Sequence, residues 1–168
     1  HRGFAGTCNL GAQQARGEFL LFLNNDMRLE QDCLQRLVAL LTVRQDLFAI
    51  SPTIVNAAQR FVESTTRFVW RRGAIDLYFP GREGDPGPGV DRERSVAYAC
   101  GGAMLCRRET FIKLGEFCEL LAPFYWEDAE LGMRAWAAGL GSLETGAAHA
   151  THDHAQTIGA RYSPREVR

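Results

Sequence analysis

Three short stretches hold the residues best suited to chemistry. The first, Asn24-Asn25-Asp26, follows directly on the apolar run that ends at Leu23. A carboxylate at the carboxyl end of a buried strand lies where open α/β sheets bind ligands. It can hold a divalent cation whose other ligands are substrate phosphates. The same tripeptide also reads as a polar turn with Asp26 capping local backbone. The second stretch is Phe124-Tyr125-Trp126-Glu127-Asp128, where a helix begins. On a helical wheel Asp128 falls with Leu131, Gly132, Ala135 and Gly139, along the buried stripe. Glu127 falls with Glu130 and Arg134, on the polar side. Acids also favour helix starts through the dipole alone. Three aromatics ahead of Asp128 suggest a pocket wall suited to a sugar ring. The third stretch, His149-Ala-Thr-His152-Asp153-His154, carries three of the four histidines. Imidazoles ligate metals. On a strand His152 and His154 would share a face and His149 would not. An exposed polar turn without metal accounts for the segment too, and a zinc hydrolase site on all three would explain this segment alone.

The elements needed to position these residues alternate in type. A helix is expected from Ala5 to Ala15, stopped by Arg16-Gly17. The run Glu18 to Leu23 has strand length and fits a strand buried on both faces. Leu34, Leu37, Val38 and Leu41 repeat at helical spacing, and Leu47 to Ile50 reads as the next strand. Helices alternating with buried strands imply an α/β sandwich. Arg60 to Trp70 reads as a strand pair or an extended excursion. Residues 80–94, with three of the six prolines, are expected to form a mobile surface loop. Short strands are expected at Val96–Ala99 and Ala103–Cys106, and helices at Arg108–Leu114 and Glu127–Ala138.

Composition narrows the classes. The 168 residues fit one domain, and 46% hydrophobic with 23% charged residues is ordinary for a soluble globular protein. Net charge is −1, with no basic stripe, so no nucleic-acid partner is expected. No apolar stretch reaches the roughly 18 residues of a membrane span. The five cysteines form no Cys-x-x-Cys pair and read as reduced thiols in a cytoplasmic protein.

Taken together, the motifs resemble inverting nucleotide-sugar glycosyltransferases of the family 2 type, in the rhamnosyltransferase-like branch. Five pieces occur in the family's order. They are Arg2-Gly-Phe-Ala-Gly6 with Cys8-Asn9-Leu-Gly11; Phe22-Leu-Asn-Asn-Asp26; Cys100-Gly-Gly-Ala-Met-Leu-Cys-Arg-Arg-Glu109; Leu114-Gly-Glu-Phe117; and Phe124-Tyr-Trp-Glu-Asp128 with Glu130-Leu-Gly-x-Arg134. The resemblance implies a GT-A (nucleotide-diphospho-sugar transferase) fold, three-layer α/β/α with a mixed, mostly parallel sheet. It implies one glycosyltransferase-like domain over residues 1–168, N-terminally truncated, the family's opening βαβ portion being absent.

It also implies roles. Asp128 would be the general base on the acceptor hydroxyl. Asp26 and His152 would hold a divalent metal (Mn2+ or Mg2+), with His154 as the runner-up. Arg2, Gly3, Asn24, Asn25 and Asp26 would bind the donor; Trp126, Glu127, Gly101 and Gly102 would lie on the acceptor side. The expected partners are a nucleotide-sugar donor and a saccharide or lipid-linked acceptor. A cytoplasmic location is expected, with peripheral association at the inner membrane face through such an acceptor. Losing the opening strands would expose a sheet edge, so self-association is expected as well. The alternative is a non-catalytic GT-A-like module that binds a sugar, a nucleotide or a partner subunit.

Overall fold

The run Phe19–Leu23 is apolar throughout because both of its faces are covered. Leu20 and Phe22 enter one buried cluster, while Phe19 and Leu21 pack against another on the opposite side. The computed structural model describes residues 3–58, 60–89, 92–121 and 125–153. In chain order they form α1 (Gly3–Gln14), β1 (Phe19–Leu23), β2 (Met27–Leu29), α2 (Cys33–Val43), β3 (Leu47–Asn56), β4 (Arg67–Arg71) and β5 (Ala74–Tyr78). They continue as β6 (Glu93–Val96), β7 (Ala103–Arg107), α3 (Arg108–Lys113), α4 (Glu127–Ala137) and β8 (Gly141–His152).

The main sheet runs β1-β7-β3-β8-β2, with β6 also on β8. It is three-layered, as expected. Cys33, Leu37 and Leu41 of α2 cover one face, while residues of α1, α3 and α4 cover the other with Phe22, Phe111 and Phe117. Those three rings lie 5.0 to 5.1 Å apart by centroid, tilted or edge-on, as aromatic quadrupoles prefer.

The sheet is mixed, but less parallel than expected. Among the described strands only the β3–β8 pairing is parallel; β7 runs antiparallel between β1 and β3, and β2 and β6 run antiparallel to β8. The reason is that β7 enters the sheet from a loop, without the crossover helix that parallel neighbours need.

Several boundaries move. The strand expected at Leu47–Ile50 extends to Asn56, and the one expected at Val96–Ala99 lies earlier, at Glu93–Val96. The segment after β3 turns back so that Val62 bridges Val55, before β4 and β5 form a separate hairpin. The stretch expected as a loose loop from residue 80 is fastened to the body. Pro80 and Gly81 are buried, and Gly81 lies so close to the Val62 carbonyl that a Cβ would sit 1.9 Å from its oxygen.

The longest strand, β8, is polar in sequence and buried in fact. Glu144 is 0% exposed; its carboxylate accepts from the Ser64 hydroxyl (2.5 Å) and the Thr65 hydroxyl (2.6 Å). These bonds fasten the segment after β3 to the sheet's interior.

The Glu130-Leu-Gly-x-Arg134 motif anchors α4. Arg134 pairs with Glu130 and donates to the carbonyls of Leu114 and Glu116, and Gly132 lies flush against the Ala97-Tyr98 backbone. A Cβ at Gly132 would lie 2.5 Å from Tyr98 Cβ and 2.9 Å from the Ala97 oxygen. Gly132→Ala should therefore lose about 1–3 kcal/mol by overpacking, beyond the gain in helix propensity. Urea unfolding measures this; an undiminished midpoint would show that α4 does not pack there.

Candidate functional site

The sheet rim where β1 and β8 end and β2 and β7 begin opens into a cavity of about 560 Å³. Asn24, Gly101, Gly102, Trp126, Glu127, Asp128 and His152 all line it, so the structure gathers seven of the expected site residues on one surface. Asn25 is exposed in the turn and stands outside the lining; Gly3 begins α1, and its neighbour Phe4 reaches the cavity instead. Arg2 and His154 lie outside the described residues.

Local structure explains each position. The Asn24 backbone N–H donates to the Gly102 carbonyl (2.9 Å) and its backbone carbonyl accepts from the Met27 N–H (3.1 Å), which folds the Asn-Asn-Asp turn back from β1 into β2. Tyr125 and Trp126 both have positive φ, 75° and 73°. For bulky residues that conformation is strained, and strain of this kind gathers at functional sites. It brings the chain sharply into α4, so that Glu127 and Asp128 occupy the helix's first turn.

Asp128 Oδ2 accepts from the Gly101 amide (3.0 Å) and Oδ1 from the Ala129 amide (2.8 Å). Each oxygen keeps a further lone pair for a substrate hydroxyl. Burial raises the carboxyl pKa, and the Gly101 and Ala129 amides oppose that rise. Asp128 thus faces the cavity half-shielded, as the wheel suggests.

Glu127 does not fit the wheel. It is only 8% exposed, because it lines the cavity and lies close enough to Cys8 of α1 and to Tyr98 for its charge to reach both. Burial, with the Asp128 charge adding to it, lifts its pKa from 4.5 to about 7. Between those values the folded state keeps a proton that the unfolded chain has released, so stability falls as pH rises through that window. Glu127→Gln removes the penalty. The variant should be more stable than the parent at pH 8 by on the order of 2 kcal/mol, and level with it near pH 4. Urea titrations at both values check this; a difference that does not change with pH would refute it.

His152 ends β8 and meets two carboxylates. Its Nδ1 lies 2.6 Å from Glu63 Oε2 and its Nε2 lies 3.4 Å from Asp26 Oδ1. The Glu63 hydrogen bond is the main reason its pKa is raised. Asn56 Nδ2 donates to the other Glu63 oxygen (2.7 Å). Asp26 Oδ1 is buried without a hydrogen-bond partner.

A carboxylate oxygen and an imidazole nitrogen facing each other, one left unsatisfied, suit a divalent cation. Among the described residues no group of three or more ligating side chains is gathered. Phosphate oxygens of a substrate would have to complete the shell. His149 and His152 are three apart on a strand and take opposite faces, which removes the zinc reading built on both.

Glu63, Tyr98 and Arg82 also line the cavity and were not foreseen. Glu63 lies in the irregular stretch after β3, where no spacing marks it. Cys100 lines the cavity too, but burial pushes its thiol up to about 12, so it is neutral and a poor nucleophile near pH 7.

A family model, Glycosyl transferase family 2, matches residues 1–115. The chain belongs to that family. The match covers β1, the Asn-Asn-Asp turn and β7; Asp128 and His152 lie beyond it. No curated protein matches the chain. Among solved structures it is similar to GalNAc-T7 with UDP, GalNAc and Mn2+, at TM-score 0.68 and 18% identity, over 91% of this chain and 31% of that one. It is also similar to A197 from STIV, at TM-score 0.54 and 12% identity, over 89% of this chain and 64% of that one. The chain therefore spans less than a third of the length of GalNAc-T7. Family and fold together make it a GT-A-fold glycosyltransferase domain.

Proposed function

We propose that this domain transfers a sugar from a nucleotide-diphosphate sugar to a hydroxyl of a saccharide or lipid-linked acceptor, with inversion and with a divalent metal. The observation that carries the reading is one cavity lined by both Asp128 and His152. Asp128, a base with free lone pairs, stands at the start of α4; His152 stands where β8 ends, and Asp26, outside that lining in the turn before β2, lies 3.4 Å from its Nε2 to make an incomplete pair of metal ligands.

Asp128 takes the proton from the acceptor oxygen as that oxygen attacks the anomeric carbon from the face opposite the nucleotide. The Gly101 amide holds Asp128 in place for that attack. Trp126, Tyr125 and Glu127 form the acceptor wall, and Asn24 shapes the donor side. A bound Mn2+ or Mg2+ would neutralise charge on the departing diphosphate. Asp26 and His152 would hold it.

The finer features follow from the motifs. The aromatic-Glu-Asp segment favours a hexose or deoxyhexose, as in the rhamnosyltransferase-like branch, added to a cell-envelope polysaccharide. Contact with a membrane would be peripheral, through a lipid-linked acceptor, at the cytoplasmic face; no helix among the described residues is long and apolar enough to cross one. Self-association would use β1, which pairs with β7 alone among the described strands.

Calorimetric titration with a panel of nucleoside diphosphates, with and without Mn2+, tests the reading. Metal-dependent binding of at least one of them, followed by sugar transfer, is expected. Binding without transfer to any acceptor would favour a non-catalytic module instead. No binding in either condition would remove the donor site from this chain.

A further inference from the structure

The hairpin of β4 and β5 stands apart from the main sheet; among the described strands each of the two pairs with the other alone. The ladder decides what each face carries, because residues directly opposite one another point the same way. Phe68 faces Leu77 and Trp70 faces Ile75, so one face is apolar from root to tip. On the other face Arg67 meets Tyr78, Val69 meets Asp76 and Arg71 meets Ala74.

The apolar face changes along its length. Phe68 and Leu77, at the root, are half-buried, and Leu77 lines the cavity. Trp70 and Ile75, near the tip, are 72% and 53% exposed, and residues 70–76 are exposed without a break. Single apolar side chains at a surface call for no explanation. A tryptophan and an isoleucine side by side on a ribbon end that stands clear of the body do.

The root is fastened. The buried Thr66 accepts at its carbonyl from the Ala97 N–H (2.9 Å), and its hydroxyl donates to the Tyr98 carbonyl (3.1 Å). The Tyr78 hydroxyl donates to Glu83 (2.6 Å). At the tip Arg72 and Gly73, with φ of 50° and 81°, make the two-residue turn that suits a hairpin. Asn or Asp is the usual first residue of such a turn, and arginine is strained there. The turn alone therefore does not account for a guanidinium at its end.

The charge is one-sided as well. Arg67, Arg71 and Arg72 stand against Asp76 as the single acid of the hairpin, in a chain of net charge −1. All three arginines are exposed, and none forms an ion pair with a described residue. Asp76 Oδ1 accepts instead from the Leu77 N–H (2.8 Å).

We propose that the tip of this hairpin docks on a bilayer surface bearing anionic lipid. Trp70 and Ile75 enter the boundary between headgroups and acyl chains, and Arg71 and Arg72 meet the lipid phosphates. A ribbon with an apolar face and a basic one has the make-up of an interfacial element, and arginine stems can lie along the apolar layer while their heads reach the headgroups. A convex end of this kind has no groove to receive a protein segment. Leu77 is two residues from Ile75, about 7 Å along the strand. A docked tip would thus hold the cavity wall close to the membrane plane. This deepens the transferase reading, on which it rests for its purpose, by making the acceptor the lipid-linked kind.

The test mixes the full chain with phosphatidylcholine vesicles that either lack phosphatidylglycerol or contain it as one lipid in three. Sedimentation measures the bound protein. The parent should bind the anionic vesicles and lose most of that binding without phosphatidylglycerol or in high salt. Arg71→Gln with Arg72→Asn, which suits the turn, should weaken binding about fivefold for each arginine removed. Trp70→Ala with Ile75→Ser should weaken it about tenfold or more. Circular dichroism melts confirm that each variant folds. Brominated acyl chains should quench the fluorescence of the parent; Trp70→Phe should still bind but lose the quenching, although Trp126 and Trp136 remain. Absence of binding to the anionic vesicles would overturn the proposal. So would binding that the tip variants leave unchanged, or quenching that persists in Trp70→Phe. A free protein whose sedimenting mass falls in Trp70→Ala with Ile75→Ser, and which ignores vesicles, would give the face to a second copy instead. Nucleotide binding keeps the two readings apart. A parent that binds UDP with Mn2+ but no vesicles would overturn the docking alone. One that docks through the tip but binds no nucleoside diphosphate would uphold the docking and count against the transferase.

Discussion

Replacing Asp128 by asparagine should lower kcat for sugar transfer by about 10²–10⁴-fold, the usual contribution of a positioned general base. Nucleoside diphosphate binding should stay unchanged. Asparagine is nearly the same size, and its carbonyl oxygen can still accept from the Gly101 amide that holds Asp128 now (3.0 Å). What it cannot do is take a proton. Burial raises the Asp128 pKa, which makes its carboxylate a stronger base than that of a surface aspartate. Activity of the parent should fall as pH drops through that raised value, where the base gains a proton, and the residual activity of Asp128→Asn should lack that limb. Rates across pH 4–9, alongside isothermal titration with UDP and Mn2+, separate the two effects. A variant that transfers sugar at the parental rate would end the base assignment, whatever its affinity for the donor.

Particular residues show what the sequence made legible. Phe19–Leu23 announces a strand because a run that is apolar at every position has to be covered on both faces. Asn24 at the end of that run, and the aromatic-Glu-Asp entry to α4, both reach the cavity because strand ends and helix starts gather at one rim of a layered fold. β8 was invisible for the opposite reason. Its residues Gly141-Ser-Leu-Glu-Thr-Gly-Ala-Ala-His are, Leu143 apart, small or polar and show no period, yet they are largely buried between β3, β2 and β6. The hydroxyls of Ser64 and Thr65 make a buried Glu144 tolerable, and they arrive from about 80 residues away. No local pattern encodes such a partner. Glu63 and Arg82 were missed likewise, since each is defined by what it meets across the fold. The wheel misplaced Glu127 because it counts one covered face, whereas the first turn of α4 is enclosed by α1 and the cavity wall as well.

The proposed metal pair, Asp26 and His152, gives the second large effect. Asp26→Asn should abolish the Mn2+-dependent part of nucleotide binding, because it removes the one carboxylate oxygen left buried without a hydrogen-bond partner beside His152. Glu63→Ala should act on the same site without touching the ion. The Glu63 carboxylate can only accept, so at neutral charge His152 must carry its proton on Nδ1, and the lone pair of Nε2 is left facing Asp26. Partners that orient a ligating imidazole in this way are typically worth about 10–100-fold in metal affinity. Glu63→Gln, whose amide oxygen can still accept from Nδ1, should recover most of that loss. Two readouts keep this apart from damage to the fold. Electron paramagnetic resonance of free Mn2+ gives the affinity, and imidazole nitrogen shifts of the metal-free protein give the tautomer. In Glu63→Ala the proton should redistribute toward Nε2; in Glu63→Gln it should stay on Nδ1. Because Glu63 also raises the His152 pKa, the proton competes with the metal at higher pH in the parent than in Glu63→Ala, so affinity in the variant should depend less on acidity. If the tautomer and the affinity are both indifferent to Glu63, the 2.6 Å contact is a strut of the fold, and the metal site does not depend on it.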